Sequence, residues 1–503
     1  MPGRDRILVV IAVLGVIFAS LLAVSSQSLW IDEANSAVKA VAPTWVSFIA
    51  SMSSERGTDL QMPGYMALLW VWEKAFGPGE YALRCLNIPF FLGSLAVVFF
   101  ALKTSLRRRT IYLLLACSSA FLWAYLDEAR PYILQFFGAS LAMTGLYNLT
   151  VSSSREKLTR DSIAVLLGLF ILLSSSLSTL CFGGLFGVTF LCLLIRNHPI
   201  SSLLRNKALL GVGCLFLVSV ASLGAYYFWT LHVGAKASAV GKTNLASIAF
   251  CFYELAGYTG IGPARAALRE APFLALRQEV FPLVAYTVVI ACLGFACLSA
   301  GREGIGKLSK SLLFLIFVVI VGTILMFGLG VGMHFRVLGR HLMPAFPFFI
   351  LGVSITVDQA VRKYGRFGWT ALFVFLAVSL FSSLQIRFSA RHSKDDYRDA
   401  ATLAKTTIQR EGVVWWAADN AGAKYYGLDA GIPDASNSHR HALAVSIPAI
   451  SGRMTYEELP LPQVVILSKS DIYDPKGRLA EWLDTHHFSI IQRFPAFTVW
   501  SLQ

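Results

Sequence analysis

Apolar runs of about twenty residues, without the alternation of an exposed strand, recur from residue 7 to residue 387 and decide what this chain can fold into. In hydrocarbon every backbone N–H and C=O needs an internal partner, so only helices or closed barrels can cross, and runs lacking a period of two select helices. Candidate spans lie near 7–26, 82–103, 110–126, 131–150, 161–178, 180–196, 208–230, 280–300, 311–333, 343–361 and 367–387. The expected fold class is a polytopic α-helical membrane protein of about eleven transmembrane helices with a small C-terminal extracytoplasmic α/β domain. The composition agrees: 56% of residues are hydrophobic and 14% charged, against about a quarter charged in soluble domains.

Basic residues orient these spans. Arg4/Arg6, Lys103/Arg107/Arg108/Arg109, Arg155/Lys157/Arg160, Arg196/Arg205/Lys207, Arg302/Lys307/Lys310 and Arg362/Lys363/Arg366 fall on one side as the spans alternate, and the positive-inside rule makes that side cytoplasmic. The net charge of +14 therefore reports orientation. Basic residues scattered between spans, not massed on one face, argue against a nucleic-acid partner. The expectation is a multi-pass protein of the cell inner (cytoplasmic) membrane, with a cytoplasmic N-terminus and an extracytoplasmic C-terminal domain. The first run is read as a retained signal anchor, cleavage near Ser25-Ser26-Gln27-Ser28-Leu29 being the alternative. All eight cysteines sit in or beside apolar stretches and read as membrane-packed thiols. None has metal-ligand spacing with histidines, so no cofactor and no tightly bound metal is expected, a divalent metal having no support in the sequence.

Two domains follow: 1–387, the transmembrane domain with large outer loops at 26–81 and 231–280, and 388–503, the extracytoplasmic α/β domain. In the first loop, helices near Pro43 to Ser53 and from Pro63 to Phe76 are expected to lie at the interface, the second being too short to span. The second loop is a candidate lid or acceptor surface. In the tail, Val413–Ala417, Gln463–Leu467, Ser489–Ile491 and Phe497–Leu502 read as strands, and Gly477–His486 as a helix. Trp415 and Trp416 are adjacent on a strand, so one at least should face a core instead of stacking on a glycan.

The expected outer face gathers the acids Asp32, Glu33 and Asp59, the bases Arg130, Arg336 and Arg340, and the imidazoles His232, His334 and His341. Carboxylates are expensive in hydrocarbon, so acids directly after the first span are functional candidates. A carboxylate can take a proton from a hydroxyl, while arginines grip a phosphate and stabilise the charge it gains on leaving. The implied reaction is transfer from a lipid phosphate. Blander readings stand beside it. Asp32-Glu33 could cap the following helix; Arg130 could pair with Asp127 or Glu128; Arg336, Arg340 and His341 could anchor at headgroups; and Asp59 could be a solvated loop acid. His232, after Tyr226-Tyr227-Phe228-Trp229, reads as part of an interfacial belt.

The Asp32-Glu33 pair just after the first span resembles the signature of the GT-C superfamily of membrane glycosyltransferases, which take sugars from polyprenyl-phosphate donors. Asp59-Leu60-Gln61-Met62-Pro63-Gly64-Tyr65 is similar to the start of the interfacial helix in protein O-mannosyltransferases and lipid A aminoarabinose transferases. Leu83-Arg84-Cys85-Leu86-Asn87-Ile88-Pro89 resembles their Leu-Arg-x-Pro element. Glu128-Ala129-Arg130-Pro131-Tyr132 resembles Glu-Ala-Arg-x-Tyr, and Arg340-His341-Leu342-Met343-Pro344 resembles Arg-Tyr-Leu-x-Pro. These matches, in order, cover roughly residues 7 to 345. The chain departs from the pattern at Met62-Pro63-Gly64-Tyr65, where members often have Pro-Pro-Leu-Tyr, and at His341, where they have tyrosine.

The resemblance implies a GT-C-like catalytic domain and a polyprenyl-phosphate-sugar-dependent hexosyl or pentosyl transferase that inverts the sugar. Asp32 would be the base, with Glu33 and Asp59 as catalytic helpers. Arg130, Arg336, Arg340 and His341 would bind the donor phosphate, and Tyr65, Tyr132 and His334 would contact acceptor or sugar. The implied partners are a polyprenyl-phosphate sugar donor and a lipid, glycan or protein acceptor, as in glycolipid or polysaccharide biosynthesis of the cell envelope. A transporter or flippase, or a ligase acting on lipid-linked saccharides, is the alternative, although no internal repeat of the kind common in transporters is evident.

Overall fold

The computed structural model describes residues 3–55, 57–151, 155–233, 241–302, 310–433, 443–450 and 453–502; residues 234–240 of the second loop and Lys307 of a basic cluster fall outside them. Among the described residues nine helices are long and apolar enough to cross a membrane: Asp5–Leu22, Glu80–Ala101, Leu158–Ser175, Leu177–Asn197, Lys207–His232, Val280–Ala300, Lys310–Gly332, Gly339–Tyr364 and Arg366–Phe388. A tenth arises if Leu106–Cys117 and Ala120–Leu126, bent by 60° at their junction, count as one broken span. The run read at 131–150 forms the twenty-residue helix Tyr132–Val151, which is not among the nine. Nearly all its residues are buried. A helix wrapped by protein need not be apolar towards lipid, and this one carries Gln135, Ser140, Thr144 and Asn148 in the interior.

By compactness the chain divides into two units. The first, the membrane unit, comprises Met1–Ser25, Ile49–Trp72 and Arg84–His392. The second comprises Ser26–Phe48, Glu73–Leu83 and Ser393–Gln503. The segment read as one loop at 26–81 is thus divided between them. It forms the helices Ile31–Ala40, Trp45–Glu55 and Pro63–Phe76, the last of 14 residues.

In the membrane unit, small residues let helix backbones touch. A Cβ added to Gly168 would stand 2.5 Å from the Gly138 carbonyl oxygen, so helices Tyr132–Val151 and Arg155–Ser175 need glycine where they meet. The broken span is also satisfied from within. Ser379 and Ser383, on helix Arg366–Phe388, donate their hydroxyls to the Ser118 carbonyl at 2.8 and 2.9 Å. Trp123 Nε1 donates to the Cys117 carbonyl at 2.7 Å, and Ser119 Oγ accepts the Leu122 N–H that opens the next helix. These bonds replace the helical ones lost at the bend, which is what allows a break at membrane depth.

The second unit holds a six-stranded sheet: β1 (Val413–Ala417), β2 (Ala430–Gly431), β3 (Leu443–Ser446), β4 (Val464–Ser468), β5 (Phe488–Phe494) and β6 (Phe497–Leu502). Their order is β2-β3-β1-β4-β6-β5. The first four run parallel, and β5 and β6 close as an antiparallel hairpin. Parallel strands are covered on both faces. Trp416 accordingly packs with Tyr397 and Phe497 in one core, and Trp415 with Leu479 and Trp482 in the other, both tryptophans fully buried. The expected strands are all present; β2 and β3 are two that the sequence reading did not find.

Candidate active site

The broken span delivers the Glu128-Ala129-Arg130 element. Helix Ala120–Leu126 ends at Asp127, and the turn that follows is held by Asn87, whose side-chain amide donates to the carbonyls of Leu126 (3.1 Å) and Glu128 (2.6 Å). Asp127 accepts both the N–H and the hydroxyl of Ser25, at 2.5 and 2.8 Å. Arg84, fully buried, donates to the Ser25 carbonyl at 3.0 Å. Ser25 after the first span, Arg84 and Asn87 of the Leu83–Pro89 element, and Asp127 with Glu128 therefore form one bracket around the turn that carries Arg130.

Arg130 pairs with Asp59. Its Nη1 donates to Asp59 Oδ1 at 2.9 Å, with both side chains almost wholly buried. Asp59 sits on the one-turn helix Thr58–Gln61, so it is not a solvated loop acid. Tyr65, on the next helix, is fully buried too.

A second group adjoins Glu128. Arg265 Nη2 donates to Glu254 Oε1 at 2.7 Å, and Arg265 Nη1 lies 3.7 Å from Glu128 Oε1. The other Glu254 oxygen accepts the Gly339 N–H at 3.0 Å. A Cβ at Gly339 would stand 2.5 Å from that oxygen, so the close approach requires glycine. Gly339 leads into Arg340, whose guanidinium lies 5.6 Å from the centre of the Tyr132 ring. Tyr132 in turn meets Tyr125 edge-on at 5.0 Å, and Arg265 lies over Tyr125.

The structure thus assembles three carboxylates (Asp59, Glu128, Glu254) and three guanidiniums (Arg130, Arg265, Arg340) in linked pairs. Glu254 and Arg265 are absent from the sequence reading. A signal existed for Glu254, an acid in the apolar helix Leu245–Leu255. Arg265 opens a six-residue helix that looks like any surface turn. His341 is bound structurally: its Nδ1 accepts the Leu338 N–H at 2.9 Å, and its ring packs edge-on to Phe335. Arg336 and His334 are exposed, and no ion pair or hydrogen bond links either side chain to the cluster among the described residues. His334 has a left-handed backbone, φ 56°.

Within the second unit, Asp32 and Glu33 occupy the first turn of helix Ile31–Ala40, where acids favour the helix dipole. They differ in burial. Glu33 is fully buried and its Oε2 accepts from Lys394 Nζ at 3.1 Å, whereas Asp32 is half-buried. Asn35 on the same helix donates to Asp419 Oδ1 at 3.2 Å. Burial pushes the Asp419 carboxyl above its usual range, and the Gly422 and Ala421 N–H groups it caps pull partly against that. Among the described residues no group of three or more His, Cys, Asp or Glu could hold a metal ion.

No protein-family model and no curated protein matches the sequence. Solved structures do match. ArnT from Cupriavidus metallidurans aligns over 98% of this chain and 97% of its own, with 10% identity and a TM-score of 0.55, in the apo state and bound to undecaprenyl phosphate. This chain shares the fold of that protein. The arabinofuranosyltransferase AftD from Mycobacteria aligns over 100% of this chain and 40% of its own at 12% identity, with a TM-score of 0.45. In this chain's fold, Asp59 follows the first span and Arg130 the broken span, Glu254 and Arg265 lie between Lys207–His232 and Val280–Ala300, and Arg340 opens Gly339–Tyr364.

Proposed function

We propose that this chain is an inverting glycosyltransferase that moves a sugar from a polyprenyl-phosphate donor to an acceptor hydroxyl on the outer face of the membrane. Asp32 is the base. It takes the proton from the acceptor hydroxyl as that oxygen attacks the anomeric carbon; the bond from that carbon to the phosphate oxygen breaks, and the electron pair leaves with the polyprenyl phosphate. A phosphate leaves as a stable anion, so no second acid is required to protonate it. Half-burial suits Asp32 to meet a substrate, while Glu33, held by Lys394, orients the helix that carries it.

One observation carries the reading: three guanidiniums set in place, two by buried carboxylates and one over an aromatic ring. Arg130 is fixed by Asp59, Arg265 by Glu254 and Glu128, and Arg340 by Tyr132. A guanidinium has five N–H donors, and Arg265 keeps 43% of its side chain exposed, so it can turn donors towards an anion while paired. Preorganised donors aimed at developing charge are the strongest help a protein can give a departing phosphate. The undecaprenyl phosphate bound by ArnT, a protein of the same fold, supports a lipid phosphate as that anion. Arg336, His334 and His341 take lesser roles. With the basic clusters cytoplasmic, the N-terminus lies inside and the second unit outside.

The test is label transfer from a panel of polyprenyl-phosphate sugars to endogenous acceptors in membranes holding wild type or Asp32→Asn at equal abundance. Loss of a general base is expected to slow transfer by about 10²–10⁴-fold. Equal transfer by the variant would remove Asp32 from its role, and no transfer by either protein would favour transport or ligation of larger glycans.

A further inference from the structure

The second unit contains a hollow that the transfer reaction does not use. It lies over one face of the sheet, between residues after β3 (Ile447 to Ile450 and Arg453 to Glu458) and the segment after β4 (Ile472 to His486), with a volume of about 1110 Å³. That exceeds the roughly 300–1,000 Å³ of a drug-sized site, so the space suits several linked rings better than one small molecule.

Its lining combines ring faces with polar groups of both signs. Tyr456, Tyr473 and His486 are half-exposed, and Tyr456 and His486 rest on a stacked base. His486 lies parallel to Trp482 at 4.0 Å, Trp482 meets Trp415 at 4.5 Å, and Trp415 stacks on Tyr456 at 5.7 Å. The rings are therefore fixed before anything binds, which lowers the entropy lost on binding. Around them stand Arg453, Lys476 and Arg478 against Glu457, Glu458 and Glu481. Such a balance gives a polyanion no advantage. Asp474 is spent on structure, its two oxygens accepting the N–H groups of Leu479 and Ala480 at the start of helix Arg478–Thr485.

From these features we infer that the hollow is a saccharide-binding site, which takes a neutral oligosaccharide chain. Sugar rings offer apolar C–H faces to Tyr456, Tyr473 and His486, and hydroxyls that both accept from guanidinium and ammonium groups and donate to carboxylates. Its natural occupant is a glycan acceptor or product, and for that identity alone the inference rests on the transfer reading.

The experiment applies the full-length protein in detergent to immobilised neutral oligosaccharides of four to six sugars (mannan, galactan, glucan and arabinan fragments), with acidic oligosaccharides and unstructured peptides as comparisons. Wild type should retain at least one neutral series; Tyr456→Ala should weaken retention at least tenfold, and Glu481→Ala, an exposed change that leaves the core intact, severalfold. Asp32→Asn should bind as wild type does, so loss of transfer with binding intact separates failure of one reading from failure of the other. The inference is overturned if no neutral oligosaccharide is retained, if peptides or acidic chains are preferred, or if Glu481→Ala and Tyr456→Ala both bind as wild type does.

Discussion

In the membrane unit Asp59 and Arg130 are both nearly sealed from solvent and meet at 2.9 Å. In the second unit Glu33 is as sealed, but its partner Lys394 keeps 15% of its side chain in contact with solvent. The difference lies in what each unit can offer a charge. An ammonium with a route to water can lose its partner and be hydrated, so a buried acid near the surface of an α/β unit is held with some slack. A guanidinium with almost no such route must have its donors met by protein, and the price of meeting them is a fixed geometry. Fixed geometry is what a phosphate-binding group needs. The comparison teaches that the membrane unit's ion pairs position donors as well as neutralise them.

The largest break in that comparison comes from removing one partner. Arg130→Ala leaves Asp59 buried without its guanidinium, and such a loss costs about 3–5 kcal/mol. Lys394→Ala removes a partner that water can partly replace, and should cost about 1–3 kcal/mol. Thermal unfolding of the purified protein in detergent, followed by tryptophan fluorescence, is the measurement. Adding Asp59→Ala to Arg130→Ala should recover part of the stability, because the two side chains share one interaction. Equal shifts for Arg130→Ala and Lys394→Ala would mean that the two pairs are held alike.

A finer test acts through backbone contact. Gly339→Ala places a methyl group against Glu254 Oε2, and the carboxylate must then move away from Arg265. Overpacking of this kind costs about 1–3 kcal/mol. If Arg265 holds the donor phosphate as proposed, KM for the polyprenyl-phosphate donor should rise about tenfold, with a smaller change in kcat. A fall in kcat alone would place Glu254 and Arg265 outside donor binding.

These two tests also mark where the sequence was legible. The spans could be read because each is a long run of one chemistry, and the strands Val413–Ala417 and Val464–Ser468 because they are apolar throughout. Helix Tyr132–Val151 misleads a count of lipid-crossing spans, since a helix enclosed by other helices can carry amides and hydroxyls. β2 has two residues and β3 four, too short for a pattern to emerge. At the site, Asp59 and Arg130 stood out as charges beside apolar runs, but nothing in their spacing of 71 positions says that they pair. Arg84 and Asn87 were legible as part of an element and illegible as a bracket, because their partners are carbonyls, which every residue has. Arg265 was hidden for the opposite reason: charged residues surround it, and only the fold singles out the one that meets Glu254.

The smallest expected effect is a pH dependence in the second unit. Asp419 caps helix Asn420–Tyr425 and accepts from Asn35, and burial raises its carboxyl above the ordinary 3.8. A carboxyl whose folded value is raised adds stability below its unfolded value, where both states hold the proton, and that stability is lost as pH climbs through the folded value. The wild type should therefore lose a little stability as pH rises from below 3.8 through the raised value, relative to Asp419→Asn. Asparagine keeps the oxygen that accepts from Ala421 and Gly422 but carries no charge, so the cap survives while the proton linkage goes. The readout is the difference between the two melting curves against pH, since other carboxylates titrate in both proteins and cancel. Parallel curves through the acid range would show that the backbone N–H groups offset burial at Asp419, and would make the second unit's acids indifferent to their depth, unlike the sealed pair of the membrane unit.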